Sequence, residues 1–446
     1  MIGIEVMAPL MFAGLVLFLL IGYPVAFSLS AVGLAFGVVG IHQGFFQPAL
    51  LQAMPERVFG TMSNQILLAI PFFTFMGSLL ERCGIAEDLL EAAGQLFGAV
   101  RGGLAYSVIL VGALLAAISG TVAASVIAMG LISLPVMLRH GYDPRLATGV
   151  VAASGTIAQI IPPSLVLIIL ADVLGRSVGD MYAGAFLPSF VLVGLFALYV
   201  FGVTLVKPAA APPLAPEARS RSAGELLRGT LVSLVPPVAL MFVVLGTILL
   251  GWATPTEAGA MGAVGALALA IAKRRLTGAL LRQGMDTTLK ITTMVIFILI
   301  GSQVFSLVFR GVDGDLWIER LLTSLPGGVI GFLLFVNLLV FLLAFFLDFF
   351  EIAFIVVPLL APVAEKLGID LVWFGVMLGV NMQTSFMHPP FGFALFYLRS
   401  VAPPQVRSAD IYWGAVPWVL IQLVMVGLVI AFPELVTRSV EIFGRN

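Results

Sequence analysis

Charge is what this sequence has least of. Asp, Glu, Lys and Arg together make up 10% of its 446 residues, while 61% are hydrophobic; an average soluble domain is about 25% charged. No water-soluble fold buries so large an apolar share, so the chain reads as an integral membrane protein. A net charge of −1 offers no basic footprint for nucleic acid. The single cysteine, Cys83, excludes an internal disulfide. None of the four lysines (Lys207, Lys273, Lys290, Lys366) follows a glycine, so the Gly-Lys of a phosphate-binding loop is missing. His42, His140 and His388 lie far apart and include no His-Glu-x-x-His pair, which leaves metal-dependent hydrolysis without support. No Lys or Arg precedes the first apolar run, which carries Glu5; that segment is expected to remain as a helix, with no cleaved signal.

What is present is a succession of apolar runs long enough to cross about 30 Å of hydrocarbon. Ten crossings are expected, near 8–22, 24–40, 61–80, 145–174, 182–206, 229–251, 253–272, 288–309, 371–398 and 412–432. Two further runs, 104–138 and 325–364, are too long for one helix. Both carry small or polar residues at their centres, Ser119-Gly120-Thr121 and Asp348-Phe349-Phe350-Glu351, and read as re-entrant hairpins. This topology puts fifteen of the 22 basic residues on one side and seven on the other. The positive-inside rule then places both termini outside. Between Arg82 and Arg101, apolar residues at helical spacing alternate with acidic ones, the pattern of an amphipathic arm on the inner surface.

The polar stretch 207–228 reads as a cytoplasmic linker between two halves, 1–206 and 229–446. At an offset of 227 residues Pro135 pairs with Pro362, Gly141 with Gly368, Asp143 with Asp370, and Pro162-Pro163 with Pro389-Pro390. Asp180, Tyr182, Gly184 and Ala185 pair with Asp410, Tyr412, Gly414 and Ala415 after a small insertion, and Gly77-Ser78 resembles Gly301-Ser302. Five crossings in the first half, an odd number, would start the second half on the opposite side. The halves therefore read as inverted repeats, a signature of secondary transporters.

Each half contains one hairpin tip and one interrupted helix. In the first, Ser119-Gly120-Thr121 through Ser125 accompanies Ser154-Gly155-Thr156, followed by Pro162-Pro163 and Ser164. In the second, Asp348 and Glu351 accompany Asn381-Met382-Gln383-Thr384-Ser385, followed by His388-Pro389-Pro390. Proline lacks the N–H and clashes with the preceding turn, so each Pro-Pro pair unwinds its helix. The polar groups set free are tolerated at membrane depth only where they line a cavity or bind an ion. Such oxygen-rich clusters suit a hard cation such as Na⁺, leaving half-helix N-termini for an anionic substrate. Single Ser and Thr hydroxyls commonly bond back to their own helix, but clustering at both related breaks favours a shared site. Asp348 is the stronger acidic candidate. Glu351 is the weaker, since one of the pair could serve as a cap. His388 invites a proton-relay reading, set against a purely structural one. Arg310 is a candidate partner for a substrate carboxylate or for Asp348, set against snorkelling at the outer interface.

The runs Leu68-Ala-Ile-Pro-Phe-Phe-Thr-Phe-Met-Gly77, Ser154-Gly-Thr-Ile-Ala-Gln-Ile-Ile-Pro-Pro-Ser164 and Ala253-Thr-Pro-Thr-Glu-Ala-Gly259 resemble the large membrane subunit of TRAP (tripartite ATP-independent periplasmic) transporters. The resemblance spans essentially the whole chain. It implies an all-α polytopic fold of the elevator-type ion-transporter superfamily, in which a mobile domain holding both hairpins slides against a scaffold. It also implies a bacterial inner-membrane location, a separate four-helix small subunit, a periplasmic substrate-binding protein and Na⁺-coupled import. Carried over, the first Na⁺ site falls at Ser119, Gly120, Thr121, Ser154, Gly155 and Thr156, and the second at Asp348, Asn381, Gln383 and Thr384. Substrate-binding candidates are Ser125, Ser164, Arg310, Glu351, Ser385 and His388. Phe349, Phe350 and Glu351 stand where many relatives have small residues. The expected cargo is a small carboxylate, with 2-oxo acids and C4-dicarboxylates as the classes. Two alternatives stay open: a stand-alone proton- or Na⁺-coupled carrier working through His388 and Glu351, and a membrane-embedded enzyme.

Overall fold

The computed structural model describes residues 3–119, 122–214, 223–389 and 392–444, and no strand occurs among them. The first half runs α1 (Ile4–Ile21), α2 (Val25–Gln43), α3 (Met54–Met62), α4 (Ala69–Arg82), α5 (Ile85–Phe97), α6 (Gly103–Ser119), α7 (Val122–Arg139), α8 (Pro144–Thr156), α9 (Leu165–Val173) and α10 (Val178–Val206). The second runs α11 (Ala223–Leu249), α12 (Pro255–Ala272), α13 (Gly278–Gly311), α14 (Gly314–Thr323), α15 (Gly328–Leu343), the short α16 (Phe349–Glu351), α17 (Val357–Lys366), α18 (Leu371–Met382), α19 (Phe393–Val401), α20 (Ser408–Ala431) and α21 (Glu434–Phe443). Among the described residues, six of these (α1, α2, α10, α12, α13 and α20) are single helices long and apolar enough to span a bilayer.

Of the other four expected crossings, 229–251 is the continuous helix α11 and three are interrupted. The run near 61–80 is the second arm of a longer pair, 48–62 and 66–82, bent by 49°. Asn64 makes the bend: its Oδ1 accepts from Ile66 N at 2.9 Å and its Nδ2 donates to Asp172 at 2.7 Å. The runs 145–174 and 371–398 each split into two helices with a 3-10 turn between them, Ile157–Gln159 and Gln383–Phe386. The first long hairpin, expected over 104–138, is α6 and α7, which pack together. In the second, α15 leads into α16, a π-helical turn (Ile352–Val356) and α17.

Helix starts are written locally. Asp143 caps α8 by accepting from Arg145 N at 2.8 Å, with Pro144 at the first helical position. Asp370, its counterpart 227 residues on, caps α18 by accepting from Trp373 N at 2.7 Å. Before each cap, a glycine at φ +81° (Gly141) or +72° (Gly368) supplies a left-handed turn that an L side chain resists. The Thr254-Pro-Thr-Glu257 stretch is a reciprocal capping box on α12, and Thr256 donates to Gln65 O at 2.6 Å, tying that end to the α3–α4 bend.

Without a hydrophobic force between helices inside lipid, packing depends on close backbone approach through small residues. A Cβ on Gly149 of α8 would sit 2.3 Å from Gly414 O of α20, and one on Gly301 of α13 would sit 2.5 Å from Ala26 O of α2. Gly262 of α12 meets Met76 of α4 in the same way. The arm expected over 82–101 is α5, which is packed into the protein. It buries Ile85, Leu89, Leu90 and Ala93, and contacts α6 and α11. Asp88 on it pairs with Lys273 at 2.5 Å and Arg275 at 3.2 Å. The linker begins pinned rather than loose: Ala210 and Ala211 carbonyls accept from Asp143 N and Gly102 N, both at 2.9 Å. Its Arg219 and Arg221 lie outside the described residues.

Candidate functional site

The interrupted helices lie at the centre of the molecule. Every residue of α8 from Leu146 to Thr156 is buried, as are Asn381, Gln383, Thr384 and Ser385 at the end of α18. The two breaks touch each other. Gln383 Nε2 donates to Thr156 Oγ1 at 3.2 Å, across the 227-residue offset of the repeat. Gln422 Nε2 of α20 donates to the same oxygen at 3.1 Å, and the Thr156 hydroxyl donates to Ala153 O at 2.8 Å. One proton given and two accepted exhaust that hydroxyl.

Toward the ends of α8 and α18 and on α20, four buried side-chain oxygens have no hydrogen-bond partner among the described residues: Ser154 Oγ, Asn381 Oδ1, Gln383 Oε1 and Gln422 Oε1. Each such orphan costs free energy unless a ligand occupies it. Asn381 Nδ2 is used, donating to Asn337 O at 2.8 Å and Asn337 Oδ1 at 2.9 Å. Three main-chain carbonyls of the first break accept from side-chain hydroxyls. Ser164 Oγ donates to Gln159 O, Ser189 Oγ to Ile160 O at 3.0 Å, and Tyr182 Oη to Ser164 O at 3.4 Å. In the second break Thr384 and Ser385 hydroxyls donate to Asn381 O and Met382 O at 2.7 and 2.6 Å.

The structure brings the first hairpin against the first break. A Cβ on Gly155 would meet Val126 Cγ2 of α7 at 2.3 Å, and one on Gly112 of α6 would meet Ser154 Cβ at 2.6 Å. Ser119 closes α6; Gly120, Thr121 and, in the second break, Pro390 lie outside the described residues. Ser125 is buried on α7. In the second hairpin Asp348 and Glu351 form a reciprocal capping box. Glu351 N donates to Asp348 Oδ1 at 2.9 Å and Asp348 N to Glu351 Oε2 at 3.0 Å. Both acids thus serve as caps of α16, with Asp348 also on a cavity wall. It lines a cavity of about 240 Å³ together with Val122, Ala123, Gln159, Phe349, Phe350, Phe386, Phe393 and Tyr397. Glu351 lines a different one of about 620 Å³ with Tyr23, Thr293 and Phe297, reached also by Asp348.

Two candidates lie elsewhere. Arg310 is exposed on the last turn of α13 and lines neither cavity. His388 is 1% exposed, and its ring packs against Phe341 and Phe345 at centroid distances of 4.3 and 4.2 Å. Sequence reading did not single out Asn337 or Gln422, nor assign Gln159 a role. Their signal was a carboxamide inside an apolar run, a group that membrane helices carry only where it has something to bind.

The chain matches, over residues 12–435, the family described as "Tripartite ATP-independent periplasmic transporter, DctM component". It is 32% identical over 395 residues to the C4-dicarboxylate TRAP transporter large permease protein DctM of Pseudomonas aeruginosa, covering 87% of this chain and 89% of that protein. It is 29% identical to the sialic acid TRAP transporter large permease protein SiaM of Vibrio cholerae, covering 95% and 96%. Among solved structures it resembles the Alcanivorax borkumensis YdaH transporter, with a TM-score of 0.59 and 16% identity over 86% of this chain and 88% of that one. That likeness is one of fold.

Proposed function

The chain belongs to the family of the DctM component of tripartite ATP-independent periplasmic transporters, and from that premise we propose that it is the permease of a Na⁺-coupled importer of a small organic acid. It is a multi-pass membrane protein and a permease, not an enzyme. In this reading it sits in the inner membrane with both termini periplasmic. A separate small membrane subunit braces it, and a periplasmic binding protein delivers the acid.

The observation that carries the proposal is the junction of the two breaks. Gln383 and Gln422 converge on Thr156, and these two with Ser154 and Asn381 each carry a buried side-chain oxygen that has no partner among the described residues. Uncharged oxygen donors suit a hard monovalent cation rather than a transition metal. Na⁺ entering there would fill the orphaned acceptors and tie the two broken helices to α20. Substrate would sit between the hairpin tips, and movement of the two hairpins with their broken helices against α1–α4 and α11–α13 would carry both across. The halves 1–206 and 229–446, joined by 207–228, supply one break each, as inverted repeats do.

The test is uptake by proteoliposomes holding the permease with its small subunit and its cognate binding protein. Accumulation should need both an inward Na⁺ gradient and the binding protein. Uptake indifferent to Na⁺ would sink the coupling, and uptake without the binding protein would favour a stand-alone carrier.

A further inference from the structure

The cavity between the hairpin tips has a composition that selects among carboxylates. This inference rests on the transport reading above and narrows its cargo. No Lys or Arg lines the cavity; in the hairpins and broken helices basic residues occur only toward the far ends, Arg139 on α7, Arg145 on α8, Lys366 on α17 and Arg399 on α19. What faces the cavity instead is the start of three helices: Val122 and Ala123 of α7, Leu165 and Val166 of α9, and Phe393 of α19. Their N-termini carry partial positive charge and free N–H groups. A second feature points to a ligand independently. Gln159 lines the same cavity, is 2% exposed, and has no partner for either Oε1 or Nε2 among the described residues.

Part of the wall is aromatic. Phe349, Phe350, Phe386 and Phe393 form a continuous row, with ring centroids 3.9 Å (349–350), 6.2 Å (349–386) and 6.2 Å (386–393) apart. The remaining polar wall residues are Asp348, itself acidic, and Tyr397. A volume of about 240 Å³ is below the roughly 300–1,000 Å³ of drug-sized ligand sites.

We infer that this cavity selects a monocarboxylate with an apolar, branched or aromatic body, its single carboxylate held by the Gln159 amide and the helix N-termini and its body held by the phenylalanine row. A second carboxylate finds no cation to meet it, only the Tyr397 hydroxyl beside the acidic Asp348 and apolar walls, and is desolvated with little compensation.

Because the binding protein imposes its own selection, the test omits it. Binding of phenylpyruvate, 4-methyl-2-oxopentanoate and succinate to the purified permease with its small subunit is measured in Na⁺ buffer. Both monocarboxylates should bind at least about tenfold more tightly than succinate. Gln159→Leu should weaken them by about tenfold or more, the size of a lost hydrogen bond to a charged group, while Gln159→Asn should retain part of the affinity. Phe349→Ala should erode the preference. Succinate binding as tightly as the monocarboxylates, or Gln159→Leu binding unchanged at wild-type thermal stability, would overturn the inference. Na⁺-driven succinate uptake of equal efficiency would do the same and leave the transport proposal standing. Binding with the expected selectivity but without Na⁺-driven uptake would uphold the pocket and sink the transport reading.

Discussion

Thr156→Val perturbs the junction at its most heavily used atom. Valine keeps the shape and removes the hydroxyl, so Gln383 Nε2 and Gln422 Nε2 lose the acceptor they reach at 3.2 and 3.1 Å. The site is fully buried, so no water replaces it. Hydrogen bonds between membrane helices average about 0.6 kcal/mol and reach about 1.7, so the two lost bonds amount to about 1–3 kcal/mol. A double-mutant cycle with Gln383→Leu isolates one of them. The coupling expected between the two substitutions is about 0.6–1.7 kcal/mol, read from reversible unfolding of the purified permease in mixed micelles. Thr156→Ser keeps the hydroxyl and should keep the coupling, at the separate cost of a methyl group. Strict additivity of Thr156→Val and Gln383→Leu, within about 0.3 kcal/mol, would refute the claim that the two breaks are joined through this oxygen.

Three other outcomes follow from the packing and the caps. Gly149→Ala places a Cβ 2.3 Å from Gly414 O and should destabilise the fold by roughly 1–3 kcal/mol. Gly246→Ala meets nothing within 4 Å and should be neutral or stabilising by up to about 1 kcal/mol in the same unfolding assay. Asp348→Ala removes the acceptor that caps α16 and should cost about 0.5–2 kcal/mol. Asp348→Asn keeps the cap and the stability but should raise the Na⁺ concentration for half-maximal uptake, which separates the carboxylate's charge from its structural use. His388→Gln should lose stacking on Phe341 and Phe345, lowering stability by about 0.5–1.5 kcal/mol, with the pH profile of uptake unmoved. A shifted profile would revive the proton-coupled alternative.

Much of this geometry was legible because it is written in residues with few uses. A proline pair inside an apolar run has to break a helix, and the positions of Pro162-Pro163 and Pro389 located both interruptions. Gly141 and Asp143 recur as Gly368 and Asp370 because a left-handed turn and a side-chain cap are needed to start α8 and α18 alike. The hairpin over 104–138 lies within a residue of the observed α6 and α7 because its flanking glycines, Gly102 and Gly141, take left-handed backbone that interrupts a helix. Tertiary choices were less visible. Nothing local to Asn64 says that its side chain will bend one helix and hold Asp172 of another. The acids at 348 and 351 read as charges at mid-depth of which one could serve as a cap; their spacing of three is that of a reciprocal capping box, and the structure uses both so. Gln159 and Gln422 carry no motif, and their roles appear only once α8, α18 and α20 are packed together.

The most direct test of the central claim, that the junction at Thr156 couples Na⁺ to an organic acid, is to count both in one experiment. Proteoliposomes holding the permease, small subunit and loaded binding protein are given radiolabelled sodium and labelled substrate together. Substrate entry should be accompanied by Na⁺ in a fixed ratio that a protonophore leaves unchanged and Thr156→Val lowers or abolishes. Substrate accumulation with no accompanying Na⁺ would contradict it.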